Sequence, residues 1–408
     1  MSQGLFAALF AAGEPFALLD TREQSDYVHG HWFGSTNVPL SALTSEIIRL
    51  VPERDSPIHF LDWQNASSDA AAEQLTALGY TNVTRCKTSV PEGFGRGFVK
   101  GEYVWSKAFG EVVAHNCDLP EITPADYLAK YKDAQLYDVR PMAEYAQFTI
   151  PDSQSLPNSL LLDNMNALKQ TGNMALLHCA GRTRSIIGAC TLKAAGYTGP
   201  YAIFKGGTQA WELDGLEREF GANRLFAEKS EDAAPVKDRL SQWGIQHQQV
   251  DNAELETFVA THSGSHLFDV SDDAGKGQPL IHSIVKISGT NLIQQTDRFI
   301  ARYHLPVILF DQGSGSRAAF AAYWLQMMGF EVSVVYLTEE LLSGPSEEVD
   351  ALMSAVDTSE NKSLLFAGRH RGNKQDSIDY LAWEEALPDQ IDPEINQFWR
   401  QRLSGSAV

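Results

Sequence analysis

Short apolar runs that end in aspartate punctuate the chain: FALLD at 16–20, QLYD at 135–138 and HLFD at 266–269. Runs of this length, bounded by polar and turn-forming residues, read as buried strands. A second pattern follows each run at a near-constant distance. IHFLDWQNASSDAAAEQLTALGY, ALLHCAGRTRSIIGACTLKAAGY and VILFDQGSGSRAAFAAYWLQMMGF share one layout: an apolar strand, a polar loop, an alanine-rich helical stretch and an aromatic residue after glycine. Counted from Asp20, Asp138 and Asp269, the loop begins 42, 41 and 42 residues on, at Asp62, Cys179 and Asp311. The three aspartates are 118 and 131 residues apart, the length of small domains rather than of solenoid repeats. Two landmarks that keep register three times identify an internal repeat.

In the middle copy, strand and helix patterns alternate. ITPADYLAKY opens a helix with Thr123 as N-cap and Pro124 in the first turn. QLYDV, MALLH and GPYAIFK read as strands; MAEYAQF, NSLLLDNMNALKQ, RSIIGACTLKAAG and GGTQAWELDG read as helical, with Gly206 and Gly207 in a tight turn. Alternation of this kind predicts an α/β fold, a mostly parallel sheet flanked by helices. Ligands bind such sheets at the carboxyl ends of the strands, and Cys179 falls at one of those ends. The boundaries expected are 1–115, 116–225 and 226–345, followed by a helical C-terminal extension, 346–408. There SIDYLAWEEAL and PEINQFWRQRL are expected to pack back on the body through Tyr380, Trp383, Phe398 and Trp399. AEKSEDAAPVKDR reads as an exposed linker or solvated helix opening the third copy.

Composition narrows the function classes. A chain of 408 residues exceeds one ordinary core. A net charge of -20 argues against nucleic acid or an anionic membrane as partner. The four cysteines form no C-x-x-C pair, which argues against a zinc ribbon or a redox dithiol and fits a reducing, cytoplasmic setting. LFAALFAAG near the start has no basic flank and reads as a first helix, not a signal peptide. No apolar run reaches the roughly 18 residues of a membrane helix. His29 and His31 have no further ligand in spacing, so no metal is expected. Cys86, Cys117 and Cys190 read as packing residues, as does His178, which is out of phase with Cys179 on its strand.

Charge changes the picture at Cys179. From Asn164 to Trp211 there is no Asp or Glu, whereas a chain with 52 acidic residues in 408 would place about six there. The same stretch holds Lys169, Arg182, Arg184, Lys193 and Lys205. A thiolate is the reactive form of cysteine, and helix N-termini and neighbouring cations favour it. The stretch therefore predicts an activated nucleophile and a small anionic ligand, with Arg184 reaching back over the loop and Arg182 leaning outward.

The LLDTRE opening, the HCAGRTRS loop, the KGGTQAW close and WSKAFGE at 105–111 resemble the rhodanese-like sulfurtransferases, multidomain members in particular. The resemblance implies three tandem rhodanese-like domains, each a mostly parallel sheet flanked by helices, plus the helical tail. It places the persulfide-forming cysteine at Cys179 and the anion cradle at Ala180, Gly181, Arg182, Thr183 and Arg184. The strand-end pair falls at Asp138, as support, and Arg140, which either faces substrate or pairs with a carboxylate. The first and third copies carry Asp62 and Asp311 at the cysteine position and are expected to be inactive. The implied reaction moves sulfane sulfur from a small anionic donor through a Cys179 persulfide to a thiophile, without cofactor. Thiosulfate is favoured as donor, with 3-mercaptopyruvate or a persulfide left open; the acceptor is cyanide, a thiol or a protein.

Two other readings remain. A cysteine phosphatase or arsenate reductase spaces five residues between cysteine and arginine, where only four separate Cys179 from Arg184, leaving less room for a tetrahedral phosphate. A non-catalytic sulfur-binding or regulatory module would explain two copies without the nucleophile.

Overall fold

Each aspartate-ended run forms an interior strand of its own sheet. The computed structural model describes residues 4–226, 236–272, 284–337 and 364–406. Most of the linker expected at 227–239, the segment 343–363 and the boundary near 345 lie outside the described residues. In the middle unit the strands run Glu121–Ile122, Tyr201–Phe204, Ala175–His178, Gln135–Asp138, Gln154–Ser155, all parallel. The third unit repeats that order with Gln246–Val250, Val332–Leu337, Val307–Asp311, His266–Asp269 and Val285–Lys286. The first has Val83–Lys87, Ile58–Asp62, Phe16–Asp20 and Thr36–Asn37. Ala175–His178 is buried at every position, as expected for a parallel strand covered by helices on both faces.

The units are not separate beads. Arg302–Tyr303, from the third unit, pairs antiparallel with Phe16–Asp20 of the first, which covers an edge that would otherwise offer unpaired backbone groups. Between the first and second units runs the helix Val104–Asn116, whose residues from Val104 to Val113 are all buried. A helix buried all round belongs to a core, and this one lies in a cluster that draws on all three units and the tail. Trp105 stacks on Phe33 at 5.2 Å between ring centroids and meets Tyr303 at 5.6 Å and Trp399 at 5.1 Å. One side chain thus joins the first unit, the third unit and the tail.

The tail helices Lys374–Glu385 and Pro393–Ser404 pack on the body through the expected residues. Trp399 is fully buried and its Nε1 donates to the Met328 carbonyl at 3.0 Å. Trp383 Nε1 donates to the Lys100 carbonyl at 3.0 Å, and Phe398 meets Phe10. Two of the scattered cysteines meet in space, with Cys117 and Cys190 Sγ 2.8 Å apart. Spacing along the chain gave no sign of that contact. Among the described residues no helix is long and apolar enough to cross a membrane.

The strand-end aspartate is a clasp. Arg140 donates to both oxygens of Asp138, at 2.9 Å from Nε and 2.7 Å from Nη2, and also to the Phe148 carbonyl; both side chains of the pair are fully buried. Arg22 repeats this on Asp20 and the Gly30 carbonyl. The third unit has Ser271 and Lys286 about Asp269 instead. Burial alone would push the Asp138 carboxyl up, but Arg140 and the nearby His178 hold it down at about 2.

Two outcomes follow. A folded pKa below the unfolded value of about 3.9 gives stability that is present above pH 4 and lost as pH falls toward 2. Asp138→Asn should therefore lower the urea midpoint strongly at pH 7, by the equivalent of about 3–5 kcal/mol, because Arg140 is left buried and unpaired. The deficit should shrink at pH 3; a deficit independent of pH would rule out the ionic clasp. Trp399→Ala should cost about 3–5 kcal/mol, read as an earlier loss of near-ultraviolet tryptophan signal on denaturation.

Candidate active site

Cys179 stands one residue beyond His178, the strand residue that pairs with Asp138. Its position follows from the chain: a buried strand ends, the loop Ala180–Arg182 turns, and the helix Thr183–Ala194 begins. The first amides of a helix have no intrahelical acceptor and attract negative charge. The thiol is 2 % exposed and forms part of the lining of a cavity of about 350 Å³. Cys179 Sγ lies 3.8 Å from Ser185 Oγ.

The loop is held from below by the KGGT turn. The Cys179 carbonyl accepts from Thr208 N at 3.0 Å and the Ala180 carbonyl from Gln209 N at 3.1 Å. Gly207 has φ +54°, and a Cβ there would lie 2.2 Å from the Cys179 oxygen. Both conformation and closeness demand glycine. From the other side, Gly110 of the linker helix faces Thr183, where a Cβ would lie 2.7 Å from Thr183 Cγ2. The missing side chain lets the linker helix press against the start of the helix that follows the cysteine.

The two loop arginines are not free cations, which corrects the expectation from the acid-free stretch. Arg182 does not lean outward: it forms a two-pronged pair with Glu111 at 2.8 and 3.0 Å, and its Nη1 lies 2.9 Å from Glu385. Arg184 pairs with Glu144 at 2.6 and 3.0 Å. Their side chains are 11 % and 10 % exposed. Burial opposes both charges, yet the partner carboxylates more than compensate and hold both guanidinium groups above their ordinary value. Burial would also raise the Glu144 carboxyl, but Arg184 and Arg140 pull it below its usual range. The carboxylates come from outside the acid-free stretch: the linker helix, the helix Met142–Gln147 and the tail.

Of the other expected residues, Ala180, Gly181 and Thr183 reach the cavity wall. Thr183 Oγ1 donates to Glu384 of the tail. Arg140 resolves toward carboxylates: its Nε and Nη2 serve Asp138, and its Nη1, without a hydrogen bond among the described residues, lies 3.9 Å from Glu144. His178 is buried, shares a 2.8 Å hydrogen bond with Ser153, and is held near 4 by burial. The sequence reading missed Glu111, Glu144, Glu384 and Gln209. Glu111 and Gln209 stood inside the WSKAFGE and KGGTQAW motifs; nothing pointed to Glu384.

Asp62 and Asp311 occupy the position of Cys179 by strand register, since Phe60 pairs with Leu19 and Phe310 with Asp269. Each carboxylate satisfies itself locally. Asp62 accepts from Gln64 N at 2.9 Å and pairs with Arg85 at 3.1 Å. Asp311 accepts from Gln312 N at 2.7 Å and from Ala318 N, in the following helix, at 2.9 Å.

A family model described as a rhodanese-like domain matches residues 2–92 and again 123–214. A protein named sulfurtransferase, from Allochromatium vinosum, is 34% identical over 89 residues, which is 22% of this chain and 81% of that protein. The crystal structure of a thiosulfate sulfurtransferase from Pseudomonas aeruginosa superposes with a TM-score of 0.71 at 30% identity, over 85% of this chain and 66% of that one. The chain thus spans just under two thirds of that protein's length. Matched in both of its first two units, and over most of a short relative, the chain belongs to the rhodanese-like sulfurtransferase family.

Proposed function

We propose that the protein is a sulfurtransferase that carries sulfane sulfur on Cys179. The observation that carries this reading is a thiol at a strand end, beneath a helix N-terminus, opening into a closed-in cavity. The Cys179 thiolate attacks the outer sulfur of a donor such as thiosulfate. An Sγ–S bond forms, the donor S–S bond breaks, and sulfite leaves with the electron pair. An acceptor thiolate or cyanide then attacks the terminal sulfur and the Cys179 thiolate is released. The amides of the loop and first helical turn are placed to stabilise the persulfide charge, as an oxyanion hole does. Thiosulfate as donor is supported by the small anion cradle and by the likeness to the Pseudomonas thiosulfate sulfurtransferase.

The same reading divides the chain into three rhodanese-like units, 1–115, 116–225 and 226–345, with the extension 346–408. Only the second is catalytic. In the first and third an aspartate stands at the cysteine position, and a carboxyl group cannot carry sulfane sulfur. This is supported by the repeated strand order and by the hydrogen bonds that Asp62 and Asp311 already make.

Treatment with thiosulfate should add one sulfur to the intact protein, seen by mass spectrometry, and Cys179→Ser should abolish both the adduct and turnover. Serine at Cys86, Cys117 or Cys190 should leave most of the activity. Turnover by Cys179→Ser, or phosphate-ester hydrolysis without sulfur transfer, would overturn the reading.

Arg184→Gln should slow persulfide formation about five- to thirtyfold, because it removes a cation and leaves the Glu144 carboxylate facing the thiolate. The double variant Arg184→Gln/Glu144→Gln should recover part of that loss in stopped-flow measurement. A double variant as slow as the single would show that the Glu144 charge plays no part.

A further inference from the structure

The cavity above Cys179 is larger and more cationic than a cradle for thiosulfate needs. Its volume of about 350 Å³ falls in the range of sites for small organic ligands. Its floor is the cysteine loop, but its far wall comes from the linker helix and the tail. There Lys107 and Arg369 are each 7 % exposed and close in on one aromatic side chain. Lys107 Nζ donates to Tyr380 Oη at 3.0 Å, and the Arg369 guanidinium lies 4.7 Å from the centre of the Tyr380 ring.

The arginines near Cys179 each have a carboxylate: Asp138 for Arg140, Glu111 for Arg182, Glu144 for Arg184. Lys107 and Arg369 have none within ion-pair distance among the described residues. Among the described residues Arg369 Nη1 donates to the Leu365 and Phe366 carbonyls, and its buried Nε has no partner. Burial opposes the Lys107 charge, but Tyr380 and Glu384 outweigh it and hold the ammonium above its ordinary value; one Glu384 oxygen is engaged by Thr183. Beside this wall, the buried Gln209 amide has neither its nitrogen nor its oxygen satisfied. His370, on the same wall, is held at about 2 by burial and by Arg369, Arg140, Arg218 and Arg184. Burial leads among these causes, and the four arginines add positive potential to it. Two buried cations side by side are costly unless an anion joins them.

We propose that Lys107 and Arg369 form a second anion subsite, which holds the carboxylate of a small organic thiol while its sulfur reaches Cys179. This rests on Cys179 being the sulfur carrier. The thiol is the acceptor: its thiolate attacks the terminal sulfur of the Cys179 persulfide and a new S–S bond forms. The Sγ–S bond breaks with its electron pair returning to Cys179, and an organic persulfide leaves. Gln209 donates a hydrogen bond along the path between the two subsites. Tyr380 holds the two cations at one place and so acts as a positioning residue.

The test uses the full chain, persulfidated with thiosulfate and freed of donor. It is mixed with 3-mercaptopropionate or with 3-mercaptopropionamide, which differ in the carboxylate, and rates are corrected for thiolate fraction. The carboxylate should be favoured about tenfold in the second-order rate constant for sulfur transfer. Arg369→Gln and Lys107→Met should reduce that preference to about twofold or less, whereas Arg369→Lys, which keeps the charge, should retain most of it. Equal rates for the two thiols with the unaltered protein would overturn the subsite, as would a preference that survives both neutral substitutions. Failure to form a Cys179 persulfide at the first step would instead overturn the carrier reading, and is scored separately by mass.

Discussion

The contact on which the rest depends is the close packing of the linker helix Val104–Asn116 against the start of the helix after Cys179. Gly110 permits it: a side chain there would collide with Thr183. With the backbones this near, Glu111 reaches Arg182 and Lys107 reaches the cavity, while Trp105 on the far side ties in the first unit, the third unit and the tail. A single buried helix therefore sets the position of the loop relative to every other part of the chain. Interiors packed to this density transmit displacement rather than absorb it.

What was legible in the sequence was what local physics decides. The strands, the Thr123 cap with its acceptance from Asp126 N at 3.1 Å, and the turn at Gly206 and Gly207 all follow from a few adjacent residues. The place of Cys179 was legible for the same reason: a strand, a loop and a helix in sequence leave it nowhere else. What was not legible was which charge meets which. The stretch from Asn164 to Trp211 is free of acids along the chain, yet folding brings Glu144 from 40 residues and Glu111 from 71 residues away in sequence. The same limit hid the Cys117–Cys190 contact and the strand Arg302–Tyr303 on the edge of the first sheet. Each joins segments whose patterns carry no mark of the partner.

The paired arginines need a physical account, because a free cation would attract an anion more strongly. A guanidinium buried to nine-tenths without a counter-charge would cost several kcal/mol, and flexible neighbours would shift to relieve it. Pairing fixes the side chains instead. Arg182 is clamped between the linker helix and the tail, and Arg184 bridges its own helix to Met142–Gln147. The loop between them is thereby held open as a rigid turn. Donors fixed in this way need no reorganisation when charge develops beside them. In this arrangement the arginines shape the cradle more than they fill it with charge.

The cavity's field consequently has an uneven source. Near the thiol, cations and carboxylates alternate and largely cancel; across the cavity, Lys107 and Arg369 have no carboxylate within ion-pair distance among the described residues, and the histidine beside them stays neutral. An anion entering from solvent meets the uncancelled charge of the tail wall at some distance from the sulfur. A ligand with charge at one end and sulfur at the other satisfies both the wall and Cys179. The tail, which the repeat pattern leaves unexplained, then has a chemical reason to be folded over the second unit: it supplies the half of the binding site that a single rhodanese-like unit does not contain.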